Sequence, residues 1–221
     1  MASGVGIASL LAICGGWILT CIAVAIPYWQ RNDPDDTIND SISQHMGLWI
    51  ECTSFSTGNW ECDDYQKFFL ALPAMLQAGR GFGISALILG LVGLIMITFS
   101  IKQGICGASF YQTKRSRLIA GCLSLLSSLC IIAAASWYAH DIHREYTRQQ
   151  MMEFTGRMSN STTYVFGSAL FIAWAGGALY LLGGILALCM SCEEEDEDLR
   201  RQPYVYKPEV NTVYKRDEEY V

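Results

Sequence analysis

Apolar residues run in four long stretches without Asp, Glu, Lys or Arg: Val5–Ile26, Phe82–Ile101, Leu118–His140 and Val165–Cys192. Each reaches the roughly 20 residues that a helix needs to cross the hydrocarbon core of a bilayer. Polar or mixed sequence separates them. The pattern predicts membrane-spanning helices at 5–27, 82–101, 118–139 and 165–190. It leaves a leading segment 1–4, a long loop 28–81, a short loop 102–117, a second long loop 140–164 and a tail 191–221.

The periodicity changes inside the first long loop. Trp49–Phe55 has strand composition, Ser56–Asn59 reads as a turn, and Trp60–Cys62 opens a second strand. Tyr65–Leu72 reads as a short amphipathic helix, after which Pro73 redirects the chain. Within the spans, Gly79, Gly81, Gly83, Gly90, Gly93, Gly176, Gly177, Gly183 and Gly184 are expected to allow close helix approach in lipid. Ser124, Ser127 and Ser128 are candidate donors across helices.

Charge orients the spans. The loop 102–117 carries Lys102, Lys114, Arg115 and Arg117 and no acid. Short basic loops stay in the cytoplasm, which puts both termini in the cytoplasm and both long loops outside. The first span lacks a basic leader and a cleavage site, and reads as an uncleaved signal anchor. No acid, Lys or Arg sits mid-membrane, and Arg80 lies at the outer boundary. That argues against a pump or ion-coupled carrier working through the bundle.

Cysteines follow the same topology. Only Cys52 and Cys62 face the oxidising side, so one bridge is available to close the predicted hairpin. Cys189 and Cys192 stand at the inner end of the last span, suited to palmitoylation or serving as small apolar residues. The tail ends Glu218-Glu219-Tyr220-Val221, whose free apolar C-terminus can add as a strand to a PDZ groove. Asn39 and Asn160 open outward glycosylation sequons. His140 and His143 lack a third ligand at a set spacing, so no metal, cofactor or catalytic role is expected.

Taken together, Trp29, Gly47-Leu48-Trp49, Cys52 and Cys62 resemble the claudin signature, W…GLW…C…C. Gly16-Trp17, Leu76-Gln77-Ala78, Arg80, Trp137-Tyr138, Tyr164, Gly167 and the terminal Tyr220-Val221 extend the resemblance over nearly all of the chain. There are departures. The second long loop lacks the Asn/Asp-Pro-apolar turn common in claudins, Thr147 replaces the second of two aromatics, and Val165 stands where many members carry Glu. Gly81 follows Arg80 where Ala is usual, and Phe55 stands where one cation-pore member has Asp.

The resemblance implies a claudin-like fold: a membrane all-α four-helix bundle with a small extracellular antiparallel β-sheet. It implies a tight-junction strand protein of the plasma membrane that sets paracellular permeability, not an enzyme. Its partners would be other claudins in the same and opposing membranes, PDZ scaffolds of the junction plaque, and membrane lipid, with no nucleic acid. Asp63 and Asp64 match acidic positions of cation-selective claudins, and Tyr65 matches an aromatic that narrows the path. Phe68 matches an apolar position that docks into a neighbour, here expected near Tyr146. The acids Asp33, Asp35, Asp36, Asp40, Glu51, Glu61, Asp63 and Asp64 outnumber Arg31 and Lys67 in this loop. A path lined by one sign of charge concentrates counter-ions, so a cation-selective pore is expected. The alternatives are a sealing claudin, or a four-span auxiliary subunit of a channel or receptor.

Overall fold

The computed structural model describes residues 2–32, 42–65, 72–105, 110–155 and 164–201, with the backbone alone at 2–3, 104–105, 110–111, 153 and 193–201. In chain order the elements are α1 (Ala2–Ala25), β1 (Gln30–Asn32), β2 (Ile42–Met46), β3 (Ile50–Phe55), β4 (Trp60–Asp64), α2 (Ala74–Ile105), α3 (Phe110–Phe154), β5 (Tyr164–Phe166) and α4 (Ser168–Arg201). The expected bundle and antiparallel sheet are both present. Asp33, Asp35, Asp36, Asn39, Asp40, Lys67, Phe68, Asn160, Tyr220 and Val221 lie outside the described residues, as does most of the short helix expected at 65–72.

Among the described residues, four helices are long and apolar enough to cross a membrane. Three run well beyond their charge-free cores, the last of them, α4, continuing past Cys192 to Arg201. The second begins at Ala74, ahead of Phe82, directly after Pro73, and carries Arg80 within it, where the side chain finds an acceptor and two aromatic faces. The third, α3, has 45 residues. At 1.5 Å per residue it is about 68 Å long, against about 30 Å of hydrocarbon. It carries on through Asp141–Phe154, where the sequence contains neither Pro nor Gly to stop it. The absent Asn/Asp-Pro turn thus has a structural consequence: helix continues where a turn is usual.

Helix α1 packs on α4, α4 on α3, and α3 on α2, while α1 also touches α2. Small residues set these distances. A Cβ on Gly16 would stand 3.0 Å from the Gly176 carbonyl oxygen, and one on Gly184 would stand 3.1 Å from that of Gly121. Serine hydroxyls bond across the seams: Ser9 donates to the Gly183 carbonyl at 2.8 Å, Ser127 to that of Ala86 at 2.7 Å, and Ser128 to that of Gly177 at 2.8 Å. Ser124 instead donates to Ala120 of its own helix. Leu11, Ile88, Phe99, Leu129, Phe171 and Leu182 are each more than half exposed on the outside of the bundle, as lipid-facing residues must be.

The sheet caps one end of the bundle. Its strand order is β4-β3-β2-β1-β5, with every pair antiparallel. The last strand comes from the chain between α3 and α4, so the sheet ties both long loops together.

Candidate functional site: the outer sheet, its anchor and its acidic hairpin

A helix end leaves its last carbonyls without intrahelical donors. At the end of α1 two indoles supply them. The Trp29 Nε1–H donates to the Ala23 carbonyl at 2.8 Å and the Trp49 Nε1–H to that of Val24 at 3.0 Å. Trp29 is fully buried and packs on Tyr138 of α3 with ring centroids 5.1 Å apart. Its backbone N–H donates to the Met46 carbonyl at 3.0 Å, which joins the cap to β2. A Cβ at Gly47 would lie 2.5 Å from the Pro27 Cα, so only glycine lets the turn approach the end of α1 this closely. Leu48 is fully buried, and a Cβ on Gly79 of α2 would lie 2.7 Å from its Cδ2.

Arg80 closes the anchor. Its Nε–H donates to the Leu48 carbonyl at 2.6 Å, with the guanidinium 5.0 Å from the Trp49 ring centroid and 5.6 Å from that of Tyr65. The Tyr65 hydroxyl donates to the Gly47 carbonyl at 3.1 Å. Burial first, then the Glu51 and Tyr164 charges, push its phenol up to about 12, against the opposing pull of Arg80. Tyr65 therefore stays protonated at neutral pH and keeps its donor. The signature residues, spread from Trp29 to Arg80, converge on one joint between sheet and bundle.

The hairpin projects from that joint. Cys52 and Cys62 are directly opposite across β3 and β4 and are joined by a disulfide with S–S 2.08 Å. All of β4 is exposed. Register sorts its acids by face. Glu51 is directly opposite Asp63, and Glu61, two residues before Asp63, shares that face. Asp64 is opposite Ile50 on the other face, the one that carries the row Arg31, His45, Cys52, Cys62. Like charges placed directly opposite destabilise a sheet. Three carboxylates on one face of a stapled ribbon therefore cost stability that another role must offset.

Sequence reasoning missed β1, β2 and β5, and with them His45. β1 and β5 have three residues each, too few for a period to show. His45 sits between Tyr28, at 4.9 Å, and a stacked Trp60, at 5.8 Å. Its Nε2 is 3.3 Å from the Ser43 hydroxyl, and its Nδ1 is buried with no partner among the described residues. Burial, and after it the Arg31 charge opposite, hold the imidazole below the usual histidine range. The folded protein then binds fewer protons here than the unfolded chain, whose value is near 6.5. Stability from this site is present above about pH 6.5 and is lost as pH falls towards the folded pKa. His45→Gln is expected to flatten the acid side of a melting-temperature profile of the purified protein between about pH 7.5 and about pH 5.5. An unchanged profile would remove His45 as its cause.

The remaining candidates are dispersed. Tyr146 lies half-buried on the outer part of α3, its hydroxyl accepting from Gln150 Nε2 at 2.9 Å. Cys189 and Cys192 are exposed near the far end of α4. His140 and His143 are exposed on α3 with no third metal ligand among the described residues.

Comparison with known proteins now decides the family. The family model described as PMP-22/EMP/MP20/Claudin matches residues 3–187. The chain belongs to this family. Among its relatives, Claudin-7 of Mus musculus is 33% identical over 193 residues, covering 86% of this chain and 88% of that protein. Claudin-19 of Rattus norvegicus is 32% identical over 204 residues, covering 91% and 88%. Claudin-18 of Homo sapiens is 34% identical over 192 residues, covering 84% and 72%. The capped α1, the Arg80 joint and the stapled hairpin are thus the claudin signature seen as contacts. As a family member with claudin relatives, the chain is a tight-junction membrane protein and not an enzyme. Claudins assemble into homomeric and heteromeric tight-junction strands.

Proposed function

We propose that the protein forms a cation-selective paracellular pore within tight-junction strands. The observation that carries this reading is the acidic face of the hairpin: Glu51 of β3 with Glu61 and Asp63 of β4, held by the Cys52–Cys62 bridge, with β4 left exposed by the described residues. Fixed carboxylates along a narrow path concentrate cations. Arg80 does not neutralise them, since its guanidinium is engaged by the Leu48 carbonyl and two rings. Asp64 adds charge at the rim, and Tyr65 sets the width where the hairpin returns to the joint. The test is a dilution potential across monolayers of a junction-poor epithelial line expressing the protein. Sodium preference over chloride is the expected result, and chloride preference or a purely raised resistance would reject the reading.

Both termini lie in the cytoplasm in this proposal, on the side of the basic loop. There Tyr220-Val221 engages a PDZ scaffold, and Cys189 and Cys192 are open to palmitoylation. Adding one residue after Val221 is expected to abolish scaffold pull-down, because the groove holds a free carboxylate. Undiminished capture would reject this mode.

Side-by-side assembly places Phe68 against a neighbour's α3 near Tyr146. Phe68→Ser is expected to shorten or disperse strands in freeze-fracture images while the monomer still reaches the surface. Long continuous strands would count against the contact.

A further inference from the structure

Where α3 leaves its apolar stretch there is a cavity of about 550 Å³, within the size range of small-ligand sites. Trp137 and Met75 line its apolar side, and Asp141, Arg144, Glu145 and Tyr146 its polar side. Its level is set by sequence. Trp137 is half exposed, and Asp141 is the first charged residue after Arg117, so the cavity straddles the depth where hydrocarbon gives way to headgroups. Ala74, the first residue of α2, is also part of the lining, so the start of a helix borders the same space.

The charges ask for a ligand of both signs. Asp141, Arg144 and Glu145 stand at i, i+3 and i+4 on α3, yet Asp141 and Arg144 form no ion pair among the described residues. Among the described residues Glu145 pairs with Arg148, at 3.5 Å, with both side chains more than half exposed. A pair this exposed is weak and readily exchanged.

We propose that this cavity seats the headgroup of a zwitterionic phospholipid of the outer leaflet. The headgroup cation lies against the Asp141 and Glu145 carboxylates and the Trp137 and Tyr146 rings, as ammonium groups do against acids and aromatic faces. The phosphate lies against the Arg144 guanidinium and the first turn of α2, both of which favour anions. The acyl chains remain in the hydrocarbon beside Trp137. This inference rests on the four-span reading and not on the pore: loss of sodium preference in a monolayer leaves it standing.

The test is native mass spectrometry of the full chain released from micelles that contain equal amounts of phosphatidylcholine and phosphatidylglycerol with identical acyl chains. Phosphatidylcholine adducts are expected to outlast phosphatidylglycerol adducts by about five-fold, the effect of one cation–aromatic contact with an adjacent carboxylate. Asp141→Asn with Glu145→Gln should bring the two lipids level, and Arg144→Gln should weaken both. These side chains are exposed or partly so, and a melting curve confirms that each variant is folded. Equal retention by the parent, or an undiminished phosphatidylcholine preference in the Asp141→Asn, Glu145→Gln variant, would overturn the proposal.

Discussion

Gly167→Ala is expected to abolish delivery of the protein to the cell surface. Gly167 lies between β5 and α4, where the chain crosses the signature Trp29. Its N–H donates to the Trp29 carbonyl at 3.0 Å, and the N–H of Ala169 donates to the Tyr28 carbonyl at 2.9 Å. A Cβ at this position would overlap the Tyr28 carbonyl oxygen and come within 2.8 Å of the Trp29 carbonyl carbon. Both obstacles are backbone, so no rotamer change relieves them. The chain must either drop the two hydrogen bonds or move the end of α1 away from its indole caps. An overlap of this kind, against backbone that no rotamer relieves, costs about 3 kcal/mol. For a chain of this size that lowers the apparent melting temperature in micelles by about 6 °C or more. Gly81→Ala is the matched comparison. It adds the same methyl inside α2 with nothing within 4 Å, and Ala is better than Gly in a helix by about 1 kcal/mol. The two variants should therefore move surface biotinylation and melting temperature in opposite directions. If Gly167→Ala reached the surface at the parental level, the close crossing at Tyr28 would not be a requirement of the fold.

The same region shows what could be read from the sequence and what could not. The spans were legible because about 20 charge-free residues in a row match the thickness of a bilayer core, and a helix buried in a soluble core rarely needs so many. β3, β4 and their bridge were legible because β-favouring residues flank a turn and only two cysteines share a compartment. The signature residues could be recognised but not interpreted. Nothing in the spacing from Trp29 to Trp49 says that both indoles cap carbonyls of one helix end, since the contact is created by the fold. Strands β1 and β5 exist because they pair with each other across more than a hundred residues of chain, and tertiary pairing of this kind leaves little local trace. The outward run of α3 could have been inferred. Asp141–Phe154 holds no Pro or Gly, and the missing turn motif was visible; what misled was the equation of polar sequence with loop.

The largest functional effect is expected from the acidic face. Asp63→Asn with Asp64→Asn should take the sodium preference of expressing monolayers back towards the ratio set by free-solution mobilities. Asp63 follows Cys62 directly and is opposite Glu51, so its carboxylate has a rigid base on both sides of the ribbon. Focusing by such fixed charges enriches counter-ions locally by about 10-fold or more, and neutralising them forfeits that enrichment. Strand alternation makes the singles unequal. Asp63 shares its face with Glu51 and Glu61, whereas Asp64 shares its face with the row that includes Arg31 and His45. Asp63→Asn alone should therefore remove more of the preference than Asp64→Asn alone, and adding Glu51→Gln to Asp63→Asn should deepen the loss. None of these changes breaks a hydrogen bond among the described residues, and relief of the Glu51–Asp63 repulsion should leave folding intact or slightly improved. Strand morphology and surface level serve as controls, separating a selectivity change from a failure to assemble. A double variant that forms normal strands and keeps its sodium preference would place the selectivity elsewhere in the first loop. Equal effects from the two single variants would reject the assignment of the path to the Glu51, Glu61 and Asp63 face.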